Sequence, residues 1–299
     1  MKTFRKLVQS VVVLFLLLSI ASLYAGERKQ ANPLRDEVLL HLNRELPSFQ
    51  ADIIELADFC KKTFNSSASE DLNSPELKKF FHKFHAFYIS ACRKLVNMIS
   101  VKTEVTVSND FFQGFFLPTD NNPVFVQQAT DILNKLKVYS RRKDLKYKVG
   151  ILEGNGMEAF AKGGEMIVLS EEIVRLPADE SAAVIAHEMS HLEKRDYLKS
   201  MIARELNRAI IAGHFPENSD KFGKILEYAL ARFQRFHEYE TDIQAVNLMQ
   251  KAGYKPDGMI SLLERLLHPS DSGNIINKDH PVISDRINAV KRHLLRLRK

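Results

Sequence analysis

His187, Glu188 and His191 spell H-E-x-x-H inside the run Ala182 to His191, which holds neither glycine nor proline. On an α-helix, positions i and i+4 stand one above the other on one face. His187 and His191 therefore present two imidazoles side by side, spaced to grip one small cation. Glu188 is one step round the helix, within reach of a water polarised by that cation. Zinc suits such a donor set, because it accepts imidazole nitrogen and carboxylate oxygen in a four-coordinate site.

The plain alternative is a polar surface helix. An H-[DE]-x-x-H string arises by chance in about one chain in 25 of this composition, so the flanks must decide. Ala182 to Ala186 and Met189 are apolar on nearly every side, which predicts a buried helix. Buried histidines need partners, and one metal ion satisfies two of them at once. A catalytic zinc takes three protein ligands and leaves a corner for water. Glu238, in His237-Glu238-Tyr239-Glu240-Thr241-Asp242, is the best third ligand. Asp242 lies four residues on, on the same face, placed to accept the free ring N–H of a metal-bound histidine. Glu240 sits about 200° round that helix from Glu238 and should point away.

These residues need elements to carry them. Ser74-Pro75 starts a helix, and Leu77, Phe81, Phe84, Tyr88, Ala91, Leu95 and Met98 recur at helical spacing, a packing stripe. Val101 to Val107 alternates and reads as a strand. Phe111 to Phe116 reads as an aromatic loop. Pro123 opens a helix to about Ser140, and Lys146 to Leu152 reads as a strand. Gly154 to Gly156 and Gly163-Gly164 turn the chain, and Met166 to Leu169 is a further strand. Asp179 is placed to cap the motif helix, which is expected to run past Asp196 to about Ala212. A helix from about Phe222 to Ala252 carries Glu238, with Gly253 as its stop. Pro256-Asp257 and the stretch after His280-Pro281 open the last two helices.

The 299 residues have room for a large core, and their composition is that of a globular protein. The formal charge of +6 includes Lys2, Arg5 and Lys6, and is too mild and dispersed to argue for nucleic acid. Those three cations precede the apolar run Val11 to Leu18 and then Ala25-Gly26, the order of a secretory signal peptide. Leu7 to Leu23 is near the lower length limit of a bilayer span, so an uncut N-terminal anchor is the alternative. Residues 1–25 are set apart on this ground, 27–100 as a helical region, and 101–299 as the unit carrying the chemistry. Cys60 and Cys92 are open to two readings, one disulfide of an exported chain or two buried thiols. Asn65-Ser66-Ser67 is a glycosylation sequon, relevant only on a eukaryotic secretory route. The basic end from Lys291 reads as a solvated helix face, with membrane-surface contact as the alternative.

H-E-x-x-H on one helix with E-x-x-x-D on a later one is the gluzincin arrangement. In detail the chain resembles the HtpX, BepA and Oma-type zinc metallopeptidases, relatives of the CAAX prenyl protease. The matching pieces are Glu158-Ala159-Phe160-Ala161 before Gly163-Gly164, Ala182 to His191, Glu238 to Asp242 with Ala245, and His280-Pro281 with Arg286. The resemblance spans about residues 120 to 290, while residues 27–100 resemble nothing named. The family often has Asn where Glu158 stands, Leu where Ser181 stands and Ala where Thr241 stands.

The resemblance implies an α+β, mostly helical, zincin-like fold with a small sheet packed on the motif helix. It implies one Zn²⁺ per chain and a polypeptide substrate. Glu188 is then the general base, and His280 or Arg286 the donor to the developing oxyanion. In relatives the residue matching His280 can also fill the open metal corner and silence the enzyme. Met166 to Leu169 is expected to pair with substrate as an added strand. Exported or envelope proteins are the expected substrates, in quality control, in the periplasm or from a membrane anchor facing it. The rival from another class is an exported chaperone with a structural zinc, for which Glu188 has no use. An intramembrane prenyl-protein protease is disfavoured, since no second stretch approaches spanning length.

Overall fold

The computed structural model describes residues 32–65, 75–115, 123–152, 156–161, 163–215, 219–267 and 283–297. Among these residues four helices come first: α1 (Pro33–Asn65), α2 (Pro75–Leu95), α3 (Val101–Phe115) and α4 (Pro123–Lys137), with a 3-10 turn at Val96–Met98 before α3. Three strands follow, β1 (Lys148–Leu152), β2 (Ala159–Ala161) and β3 (Met166–Ser170). The rest is helical: α5 (Glu171–Val174), α6 (Ala178–Lys194), α7 (Asp196–His214), α8 (Ser219–Lys251), α9 (Gly258–Leu267) and α10 (Ile283–Leu297). The architecture is α+β and mostly helical, as expected. No helix of the described residues is long and apolar enough to cross a membrane.

Two apolar cores organise these elements. The first joins α1 and α2 to α7 and the leading half of α8, through Phe80, Phe84, Tyr88, Leu198, Leu206, Phe222 and Phe233. The second joins α4, the sheet, α6, α9 and α10 to the trailing half of α8, through Leu133, Ile167, Ile185, Val246, Met249 and Val290. α8 therefore runs through both, at about 1.5 Å per residue, and its polar stretch Glu238 to Asp242 falls between its two apolar ones. α6 is enclosed: every residue from Glu180 to Ser190 is buried. Gly258 lets α9 start hard against it, because a Cβ there would lie 2.6 Å from the Asp179 carbonyl oxygen.

Several expectations are corrected. Val101–Val107 is helical and belongs to α3, not to a strand. Its alternating β-branched residues gave the wrong period, because the residues α3 turns inward are Glu104 and Ser108, one turn apart. The motif helix ends at Lys194 rather than near Ala212, because Arg195 adopts a left-handed conformation (φ 54°, ψ 41°) and α7 sets off anew. Asp179 does not cap α6; Pro177 precedes the helix, and the Asp179 carboxylate instead accepts the Lys255 N–H at 3.0 Å. Cys60 and Cys92 are both free and buried, and burial pushes each thiol up to about 12.

The sheet order is β1-β3-β2, with β1 parallel and β2 antiparallel to β3. β3 is thus the central strand, and its backbone is already bonded on both sides. Met166 to Leu169 has no edge to offer a substrate, contrary to expectation. The outer edge that packs on α6 is that of β2. The leader, Ser74, the sequon serines, Gly154 and Asn155, and His280-Pro281 lie outside the described residues, as do the side chains of Phe111 to Phe115.

Candidate metal centre

α6 and α8 pack face to face, and three side chains converge between them. His187 and His191 come from α6, Glu238 from α8, and one donor atom of each lies within 4.8 Å of the others. The two Nε2 atoms are 3.1 Å apart. The Glu238 carboxylate is 3.4 Å from His187 Nε2 and 3.3 Å from His191 Nε2. His187 and Glu238 are buried, and His191 nearly so.

The far side of each ring is also fixed. His187 Nδ1 meets Asp242 Oδ1 at 3.0 Å, and His191 Nδ1 meets Asp196 Oδ2 at 2.9 Å. A carboxylate can only accept, so each Nδ1 carries its proton. In the neutral ring this turns both Nε2 lone pairs inward, toward each other and toward an anionic oxygen. Three acceptors facing one point repel, and a divalent cation relieves them. The donor set therefore fits the metal that the motif implies. Without a cation, protons take its place. Burial pulls both imidazoles down, but the Asp242 and Glu238 carboxylates outweigh it for His187, whose pKa is raised. For His191, Asp196 and Glu238 do the same and lift it to about 10.

The other expected residues are placed as follows. Glu188 is buried on α6 beside His187, outside the converging trio. Arg286, on α10, is buried and bidentate to Asp242, with Nε–Oδ2 and Nη2–Oδ1 both at 2.7 Å. Its Nη1 is 3.5 Å from Glu238 Oε2. Burial opposes the charge on Arg286, yet Asp242 and Glu238 hold its pKa above the ordinary value. The Asp242 carboxyl is lowered, because Arg286 and His187 outweigh the cost of burial. Glu240 points away, half-exposed, beside Lys194 and His237. Its hydrogen bond with His237 is the main cause that lowers it to about 2.

Three contributors escaped the sequence reading. Asp196 opens α7 and orients His191; its only sequence signal is an acid shortly after H-E-x-x-H. Lys194 donates to the His237 carbonyl and to Thr241 Oγ1, both at 3.1 Å, and so straps α6 to the turn of α8 that bears Glu238. Thr241 Oγ1, where the family often has Ala, lies 3.5 Å from both Asp196 Oδ2 and His191 Nδ1.

A buried helix with two facing imidazoles, a carboxylate from a second helix and a small sheet alongside define a zincin-like metallopeptidase. Residues 126–294 match Peptidase family M48, and the chain belongs to that family. The family is one of peptidases, enzymes that act on polypeptide. The chain is similar to the Beta-barrel assembly-enhancing protease of Escherichia coli (strain K12), 24% identical over 166 residues, 50% of this chain and 34% of that protein. The protein of the same name from Yersinia pestis is 21% identical over 192 residues, 57% of this chain and 39% of its own. The matches thus cover little more than a third of the length of these curated relatives.

Proposed function

We propose that His187, His191 and Glu238 hold one catalytic Zn²⁺, with Asp242 and Asp196 as the carboxylates that orient the two rings. Bound there, zinc supplies Lewis acidity to a water and to the scissile carbonyl. Glu188 takes the proton of the attacking water and delivers it to the departing amine. Arg286 acts through Asp242 and Glu238, holding both carboxylates in place; an oxyanion contact would require it to swing Nη1 away from Glu238. His280 keeps its two readings, oxyanion donor or occupant of the open corner, and a rise in basal proteolysis in His280→Ala selects the second.

The substrate backbone adds to the outer edge of β2, antiparallel or parallel to Ala159–Ala161, so that binding reads main chain more than side chain. The unit from 101 to 299 carries the chemistry, and the leader takes the chain to the envelope or anchors it there. The relatives are named for enhancing β-barrel assembly, and misfolded envelope proteins are the substrates proposed here by analogy.

The convergence of two Nδ1-anchored imidazoles on one carboxylate carries the reading. Its test pairs zinc content with cleavage of casein and of an unfolded outer-membrane barrel protein, with and without a chelator. Glu188→Gln should keep zinc and lose about 10²- to 10⁴-fold in cleavage rate. Cleavage at the parent rate by that variant, or in full chelator, refutes the reading.

A further inference from the structure

α3 lies ahead of the span that matches the family, yet it holds two turns of the chain, one before the motif helix and one at its end. Glu104 and Ser108 share one face of it and are buried. Ser108 Oγ donates to the Gly163 carbonyl at 2.8 Å, in the turn between β2 and β3. Glu104 Oε2 accepts from Arg195 Nε at 2.7 Å, at the junction between α6 and α7. Arg195 spends the rest of its guanidinium on the carbonyls that lead into α3: Nη1 donates to Val96 at 2.8 Å and Nη2 to Ile99 at 3.0 Å.

Arg195 is the only non-glycine with positive φ among the described residues. Its backbone N–H closes α6 on the Leu192 carbonyl, and its own carbonyl accepts from Lys199 in α7. Asp196 is the next residue, and the abrupt change of direction at Arg195 brings its carboxylate back onto His191. A straight continuation of α6 would carry position 196 about 140° round the helix from His191. The kink is therefore what makes Asp196 a partner of the ring, and the guanidinium is what ties the kink down.

We propose that Arg195 and Glu104 are positioning residues for the metal centre: they pin the left-handed junction to the Val96–Glu104 segment, so that Asp196 meets His191 Nδ1. The proposal rests on the zinc reading above. It makes a segment outside the family-matched span a working part of the catalytic apparatus. Through Ser108 the same helix also steadies the turn that leads out of β2, the strand assigned to substrate. Arg fits the role better than Lys, since three acceptors lie around one planar fork.

The test uses the full chain and reads zinc affinity by competition with a chromophoric chelator, alongside kcat, KM and thermal unfolding. The double variant Arg195→Gly with Glu104→Gln removes both charges, leaves no ion buried alone, and gives φ 54° a residue that adopts it freely. It should raise the zinc dissociation constant by about 10- to 100-fold and lower kcat more than it raises KM. Arg195→Lys should shift the same quantities in the same direction by less. Arg35→Ala is the control. It removes another guanidinium that ties the N-terminal helices to α7, at Glu205, which keeps Arg208 as a partner. It should leave zinc affinity at the parent value. Variants that lose thermal stability while zinc affinity and kcat stay at the parent values overturn the proposal. If the double variant does not fold, parent zinc affinity in Arg195→Lys overturns it equally. A parent chain that binds no zinc refutes the metal reading itself, and this inference with it.

Discussion

Two imidazole lone pairs and a carboxylate held within 4.8 Å are stable together only with a cation or with protons among them. The rings are kept in that posture from behind, by Asp242 and Asp196. Asp242→Asn and Asp196→Asn should each raise the zinc dissociation constant by about 10- to 100-fold, and Glu238→Gln should abolish stoichiometric binding; equilibrium dialysis decides both. The competing protons give the pH dependence. Zinc held as proposed would displace them from Nε2, so its affinity should fall as pH falls, by up to about tenfold per unit for each proton displaced. The metal-free protein behaves oppositely. His191 has its folded pKa raised to about 10, above about 6.5 in the unfolded chain. Its contribution is full below about pH 6.5 and is lost as pH climbs toward 10. Urea midpoints of the chelated protein should therefore decline over that window, and a flat profile would contradict the assignment. His187, His191, Glu238 and Asp242 could be brought together on paper because each pair is spaced four residues apart on one helix. Asp196 could not, because nothing in its type or spacing announces a left-handed arginine before it.

At the scale of elements, amphipathic stripes were legible and inverted ones were not. α2 follows its phenylalanines, all of them buried. α3 hides the opposite pattern: Val101, Val105 and Val107 are only partly buried, while Glu104 and Ser108 face inward because Arg195 and the Gly163 carbonyl satisfy them. Period-two valines and threonines in such a helix mimic a strand, and only the partners reveal the truth. The strand order was equally hidden, since β3 is central by virtue of pairings that no single strand encodes. Ser108 yields a sharp prediction. Gly164 has φ 62°, and a Cβ there would lie 2.5 Å from Ser108 Cβ. Gly164→Ala should destabilise the chain by about 1–3 kcal/mol, from left-handed strain and the clash together. Adding Ser108→Gly removes the atom struck but not the strain, so the pair should be less destabilised than the sum of the two single changes. Additive urea midpoints would show that the contact does not set the cost.

Across the whole molecule, the candidate metal centre sits at the seam of two cores that share one helix. Phe222 to Phe233 anchor the leading half of α8 in the first core, and Ala245 to Met249 anchor the trailing half in the second. Glu238 lies between them, so its position relative to α6 is set from both ends. The N-terminal helices supply one of those ends. Without residues 1–100, Leu198, Ile202, Leu206 and Phe233, all fully buried, would lose the α1 and α2 side chains that cover them. Arg195 would lose the Val96 and Ile99 carbonyls as well. Each large apolar side chain returned to water forfeits about 1.5–3 kcal/mol, and a domain of this size has only about 5–15 kcal/mol in hand. Four such residues forfeit about 6–12 kcal/mol together, which is comparable with that whole reserve. A chain starting at residue 101 should therefore show no cooperative unfolding by circular dichroism and no stoichiometric zinc binding, although it contains every proposed ligand. Should that fragment melt cooperatively and bind one zinc at the parent affinity, the first core would be an appendage. The seam would then have no part in placing Glu238.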